Sequence, residues 1–238
     1  MNEFLYGLVL QWKLDIRSKS MLITCYLVPL IFFAFMAGIF TSVNPEARNT
    51  LIQSMSIFGV SMGALVGLPP SLVEIYSSDI KKVYKANGIP LYLRVVTHFI
   101  SALLHLIIMC SIIFVVAPLI FDAAIPANLG VYFVSLVVFI AATLSIGCVF
   151  GLVVKNVSKL TMISQIVFLP SIMLSGIMFP IEMLPKALEY VGKLFPAAWA
   201  FKTMTRGDFD FILYVPMLLI FVIAVTICGF VLSKKTYE

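Results

Sequence analysis

Six stretches of this chain each run for more than 20 residues without Asp, Glu, Lys or Arg. They are 20–45, 49–73, 95–121, 123–154, 160–181 and 211–233. A helix needs about 20 apolar residues to cross the hydrocarbon core of a bilayer, so each run is long enough to span. The runs are continuously apolar and do not alternate, which excludes the strands of a lipid-facing barrel. A 238-residue chain that is 62% hydrophobic and only 11% charged cannot hide its apolar surface in one soluble globule. A cytosolic enzyme, a secreted disulfide scaffold and a disordered chain are excluded on the same ground. The expected fold is an all-α polytopic membrane protein with six transmembrane helices, residues 1–238 forming one transmembrane domain.

The basic residues set an orientation. Lys13, Arg17, Lys19, Lys81, Lys82, Lys85, Arg94, Lys155, Lys159, Lys234 and Lys235 fall on one side of the membrane. Arg48, Lys186, Lys193, Lys202 and Arg206 fall on the other. The richer side is cytoplasmic by the positive-inside rule, so both termini are expected there. Residues 1–19 read differently from the spans. Phe4, Leu5, Leu8, Val9, Trp12 and Ile16 recur at helical spacing, and Glu3, Gln11, Lys13, Asp15 and Arg17 fall mostly elsewhere on the wheel. This predicts an amphipathic helix at the cytoplasmic interface, with Trp12 at headgroup level and basic residues near anionic lipid.

Sites for chemistry are absent from the pattern. No G-x-x-x-x-G-K-[ST] phosphate loop, HExxH or G-x-S-x-G motif occurs. Cys25, Cys110, Cys148 and Cys228 are isolated in apolar runs and form no C-x-x-C pair, so no metal ligand set is expected. Asn156-Val157-Ser158 matches a glycosylation sequon by chance, in a short cytoplasmic loop. His98 and His105 lie seven apart on the third span, about 10.5 Å along the axis, too far to share a metal with ease. They read as hydrogen-bonded to neighbouring helices or as polar contacts in a substrate pathway. With no carboxylate buried in a span, a proton- or sodium-driven carrier is disfavoured.

Two polar segments hold the remaining signals. Between spans two and three, Glu74 is followed by Ser78, Asp79, Lys81, Lys82 and Lys85, then Gly88 and Pro90. Capping residues, then basic residues, then Gly and Pro predict a short cytoplasmic helix over 78–87. After span five, Pro170, Pro180, Pro185 and Pro196 break an otherwise amphipathic stretch. Irregular backbone at membrane depth must be buried in protein or face water, so residues 182–206 read as an extracellular re-entrant segment of short helices. Gly59, Gly63 and Gly67 on span two, and Gly147 and Gly151 on span four, form G-x-x-x-G stripes for close helix packing.

These segments resemble those of the membrane permease of type-2 ABC exporters. The similarity rests on Glu74, Lys81, Lys82, Gly88 and Pro90 before span three. After span five it rests on Ser175, Gly176, Phe179, Pro180, Leu184, Pro185, Phe195, Pro196 and Trp199. It extends over essentially the whole chain. The family's Glu-Arg-Glu-x-Gly-Thr run is replaced here by Glu74-Ile-Tyr-Ser-Ser-Asp-Ile. The resemblance implies a multi-pass protein of the bacterial cell membrane. A second permease subunit, identical or related, would be its partner, together with two ABC ATPase subunits. ATP and Mg would be held by the ATPases, with no cofactor in this chain and no nucleic-acid partner. It assigns Glu74, Asp79, Lys81, Lys82, Gly88 and Pro90 to ATPase coupling. Spans two and five would line the pathway, placing Phe58, Met62, Phe168, Met173 and Met178 beside an amphipathic cargo: a drug, an antimicrobial peptide or a lipid-like molecule. The competing reading is a non-transporting membrane sensor or an immunity protein that sequesters a toxin.

Overall fold

The computed structural model describes residues 3–77 and 90–237. They form helices and irregular connections, with no strand among the described residues. Helix α1 is Glu3–Arg17. Helix α2 runs Lys19–Val43 and α3 runs Leu51–Tyr76. Helices α4 (Leu91–Phe121), α5 (Leu129–Val153) and α6 (Val157–Met173) follow. The short α7 (Lys186–Gly192) and α8 (Pro196–Arg206) precede the last helix, α9 (Phe211–Tyr237). Five of these, α2, α3, α4, α5 and α9, are long and apolar enough to cross a bilayer. The 17-residue α6 is the shorter, sixth apolar helix. Its length is about 25 Å, at the lower limit for a hydrocarbon core of about 30 Å.

Two boundaries differ from the apolar runs by more than five residues. The run from residue 160 continues to Ile181, but α6 stops at Met173 and the chain turns through Gly176 at φ +88°. Only glycine adopts that conformation without strain, so the turn is fixed there. The run from Ala123 becomes helical only at Leu129, where the Asn128 side chain accepts from the Val131 amide. Pro126 and the left-handed Asp122 occupy the irregular stretch before it. Asn156, the residue of the chance sequon, caps α6 by accepting from the Ser158 and Lys159 amides.

Helix α3 is the hub, buried on nearly every side, whereas α2 and α9 present most of their surface outward. Its glycines explain the burial. A Cβ at Gly147 would lie 2.1 Å from the Ala64 carbonyl oxygen, and one at Gly151 would lie 2.6 Å from Leu72 Cβ. The α5 backbone therefore touches α3 directly. Gly59 and Gly63 face Met109 and Leu106 of α4, and Gly67 faces Thr24 and Cys25 of α2. Both stripes are thus used inside one chain.

Proline sets the irregularities. Helix α2 widens into a π-turn at Ile23–Leu27 just before Pro29, and α3 does so at Gly63–Gly67 before Pro69 and Pro70. Proline supplies no amide donor, and a wider turn re-pairs the freed carbonyls. In α3 the Leu68 amide bonds the Gly63 carbonyl at 2.9 Å. The two π-turns abut where Gly67 meets Thr24 and Cys25.

The interfacial helix corrects the sequence reading. Phe4, Leu5, Val9 and Ile16 point outward, while Gln11 and Asp15 are buried against α4. The stripe facing the bundle is Gly7, Leu8, Gln11, Trp12 and Asp15. The polar residues turn inward because α4 supplies hydrogen-bond partners, and the apolar residues face outward. Trp12 stacks on the His105 ring at 4.1 Å between centroids instead of standing free at a headgroup.

Candidate coupling site and cavity

One end of the bundle gathers the ends of the polar segment between α3 and α4. The last residue of α3, Tyr76, is buried, and its hydroxyl donates to the Leu91 carbonyl at 2.5 Å. Leu91 opens α4 directly after Pro90, whose extended backbone at φ −62°, ψ 131° forms the N-cap. The ammonium of Lys235, near the end of α9, stands 5.4 Å from the Tyr76 ring centroid. The described residues on either side of 78–89 are therefore held together at one end of the bundle. Glu74 is exposed on α3 nearby and pairs with no described cation. Asp79, Lys81, Lys82 and Gly88, with the helix expected over 78–87, lie outside the described residues.

Beside this end lies a polar cluster that the sequence did not announce. Gln11 Nε2 donates to Asp15 Oδ1 at 2.6 Å and reaches His98 Nδ1 at 2.9 Å. Ser101 donates to Asp15 Oδ2 at 2.6 Å. His98 Nε2 stands 2.5 Å from Ser71 Oγ, and Ser71 in turn donates to the Leu68 carbonyl at 2.9 Å. The serine proton is committed to Leu68, so the imidazole donates from Nε2 and accepts at Nδ1. Two turns further on, His105 Nδ1 meets the Tyr26 hydroxyl at 2.7 Å. Both histidines thus bond to neighbouring helices and do not converge on a metal; among the described residues no group of three potential metal ligands occurs. Burial raises the Asp15 carboxyl above its usual range, against the lowering effect of the Ser101 and Gln11 hydrogen bonds and of Arg94. The one sequence sign of this cluster is the Gln11–Asp15 spacing of four on a single helical stripe.

The opposite end holds a cavity of about 770 Å³. Its apolar lining includes Phe40, Met178, Phe179 and Phe201, and its polar rim includes Glu46 and Lys202. Helices α7 and α8 form one wall, joined where Trp199 Nε1 donates to the Lys193 carbonyl at 2.7 Å. Lys193 also pairs with Glu189 at 2.8 Å. That hydrogen bond holds the Glu189 carboxyl below its ordinary range and the Lys193 ammonium above its own. The motif of the re-entrant segment divides across this region. Gly176, Phe179 and Pro180 line the cavity, Pro185 is exposed before α7, and Pro196 is buried at the start of α8. Burial of Ala197, Ala200, Thr203 and Met204 seats α8 within the bundle.

The pathway residues do not converge on one space. Phe58 and Phe168 are buried and meet edge to face at 5.7 Å, with Phe32 stacked on Phe58 at 3.7 Å. Met62 is half-buried and Met173 is exposed near the end of α6. Of the five, Met178 lines the cavity.

Comparison with known families matches residues 3–209 to the ABC-2 type transporter model. The chain belongs to that family. It is a transmembrane permease component of an ABC transporter and a multi-pass membrane protein, distinct from the ATPase that such permeases generally work with. The matched region of the permease takes in α1, the segment between α3 and α4, and both short helices α7 and α8. Comparison with curated proteins gives no match.

Proposed function

We propose that this permease is the membrane half of an ATP-driven exporter, working as a pair with an identical or related subunit. Two separate ATPase subunits bind at the Tyr76 end and hold ATP and Mg. The observation that supports this most is the Tyr76–Leu91 closure, which ties together the described residues flanking the basic 78–89 segment. A segment held in this way passes on displacement from a docked partner, and the chain has no phosphate loop motif of its own. The membrane is the cell membrane, with both termini cytoplasmic, as the basic residues indicate. The cargo is an amphipathic drug, antimicrobial peptide or lipid-like molecule. Aromatic and methionine side chains beside Glu46 and Lys202 in the 770 Å³ cavity support that class. Membership of a transporter family does not favour the sensor or immunity reading.

Purification from native membranes, followed by reconstitution with and without the co-purifying ATPase, tests the proposal. ATP-dependent movement of an amphipathic dye into vesicles, seen only with both components, is the expected result. Full-rate movement by the permease alone, or the absence of any associated ATPase, rejects it.

A further inference from the structure

His98 sits on α4, yet its two ring nitrogens bond to two other helices. Nδ1 accepts from Gln11 of α1, and Nε2 donates to Ser71 of α3. Gln11 also holds Asp15, which accepts from Ser101 on α4. Gln11, Asp15, His98 and Ser101 are all at most 4% exposed. Polar groups this deeply buried are costly to leave unpaired, so the chain of bonds is kept whole or lost together.

The attachment point on α3 decides what the chain does. Ser71 follows the π-turn at Gly63–Gly67 and the pair Pro69-Pro70. Such interruptions are where a helix bends. The link therefore grips the half of α3 that leads to Tyr76. We propose that Gln11, His98 and Ser71, with Asp15 as anchor, are positioning residues that make α1 and the terminal half of α3 move as one body during transport. This rests on the reading of the chain as an ATPase-coupled permease. It adds that α1 is tied to the terminal half of α3 through His98 of α4.

The test uses the permease–ATPase complex in lipid nanodiscs, with spin labels at Lys13→Cys and Ser77→Cys. Both sites are exposed, and the four native cysteines are buried. Pulsed electron resonance is expected to give one narrow distance distribution that stays unchanged between nucleotide-free and ATP-bound states. Ser71→Ala and Gln11→Leu broaden it and lower the dye moved per ATP hydrolysed about fivefold, the lower end of site-to-site coupling. Ser71→Thr keeps a hydroxyl and restores both readouts. A parent distance that shifts with nucleotide overturns the proposal. So do variants with narrow distributions, and so does broadening with parental dye movement per ATP. Should Gln11→Leu fail to insert, Ser71→Ala, which removes one hydroxyl, decides alone. A parent chain that associates with no ATPase rejects the proposed function instead, and is seen before any variant is made.

Discussion

The Tyr76 hydroxyl donates to the Leu91 carbonyl at 2.5 Å, closing a 15-residue separation with one buried bond. The ring also receives the Lys235 ammonium, so three helix ends meet at one side chain. Tyr76→Phe keeps the ring and removes the hydroxyl. The expected loss is about 1 kcal/mol, the net worth of such a bond, and a lower Tm for the purified permease. Coupling is expected to suffer more than stability, since the ends of the 78–89 segment are no longer held together. Dye movement per ATP and ATPase retention on a size-exclusion column measure this. Parental values for both would show that the closure has no part in coupling.

The charges of that segment are tested separately. Replacing Asp79, Lys81 and Lys82 together with alanine is expected to leave membrane abundance unchanged and to weaken ATPase binding or its stimulation by cargo. Lys85→Arg is expected to do little, because exposed charge pairs contribute about 0–1 kcal/mol. If the triple variant binds, hydrolyses and transports normally, the segment serves topology alone.

The glycine stripes give an ordering. A Cβ at Gly63 would meet Leu106 Cδ2 at 2.5 Å, the far end of a side chain that can rotate away. A Cβ at Gly147 would meet the Ala64 carbonyl oxygen at 2.1 Å, and that backbone cannot yield without moving α3 from α5. Gly147→Ala is therefore expected to destabilise by more than Gly63→Ala, by about 1–3 kcal/mol as overpacking does. Thermal denaturation in detergent ranks the two, and equal Tm values would contradict the contact geometry.

Much of this architecture is legible in the chain, because the bilayer forbids most alternatives. The six charge-free runs locate α2 to α6 and α9, although α4 begins at Leu91, four residues before its run. What escapes is whatever tertiary contact decides. The run ending at Ile181 carries no charge to stop it, and only the turn at Gly176 shows that α6 ends at Met173. The wheel of α1 places Gln11 and Asp15 on a polar face, and polar faces ordinarily meet water. Here they meet Ser101 and His98, because partners on α4 make burial cheaper than exposure beside lipid. The cavity at the end opposite Tyr76 escapes for a related reason. Phe40, Glu46, Met178 and Lys202 come from separate parts of the chain, and no motif joins them.

Asp15 adds a pH dependence whose sign follows from its burial. Its folded carboxyl binds a proton more tightly than the unfolded one, whose ordinary value is 3.8. The stability it contributes is complete below that unfolded value and is lost as pH rises through the raised folded value. Arg94 and His98 of α4 face it, and Arg94 opposes the shift without reversing it. Asp15→Asn, which keeps an acceptor for Ser101, is expected to flatten the fall in Tm between acidic and neutral pH. An equal slope in parent and variant would place the titrating group elsewhere.

Charge at the cavity opposite the Tyr76 end is expected to tune which cargo is moved. Lys202 is exposed on α8, stands 5.9 Å from the Trp199 ring centroid and has no carboxylate partner among the described residues. Lys193, by contrast, is engaged by Glu189. Reversing the free charge with Lys202→Glu changes the field at the rim and leaves the apolar lining of Phe40, Met178 and Phe201 in place. An interaction of up to about 1 kcal/mol at an exposed site corresponds to roughly a fivefold change in KM. The variant is expected to raise KM for an anionic amphiphile and lower it for a cationic one of the same chain length, with kcat for each near its parental value. Because the site is wet, the difference should shrink between about 0.05 and 0.5 M salt, as screening shortens to less than 10 Å. Trp199→Phe, which loses the bond to the Lys193 carbonyl, should lower Tm without reversing the charge preference. A Lys202→Glu permease that treats both amphiphiles as the parent does at low salt would remove the cavity from the path of the cargo.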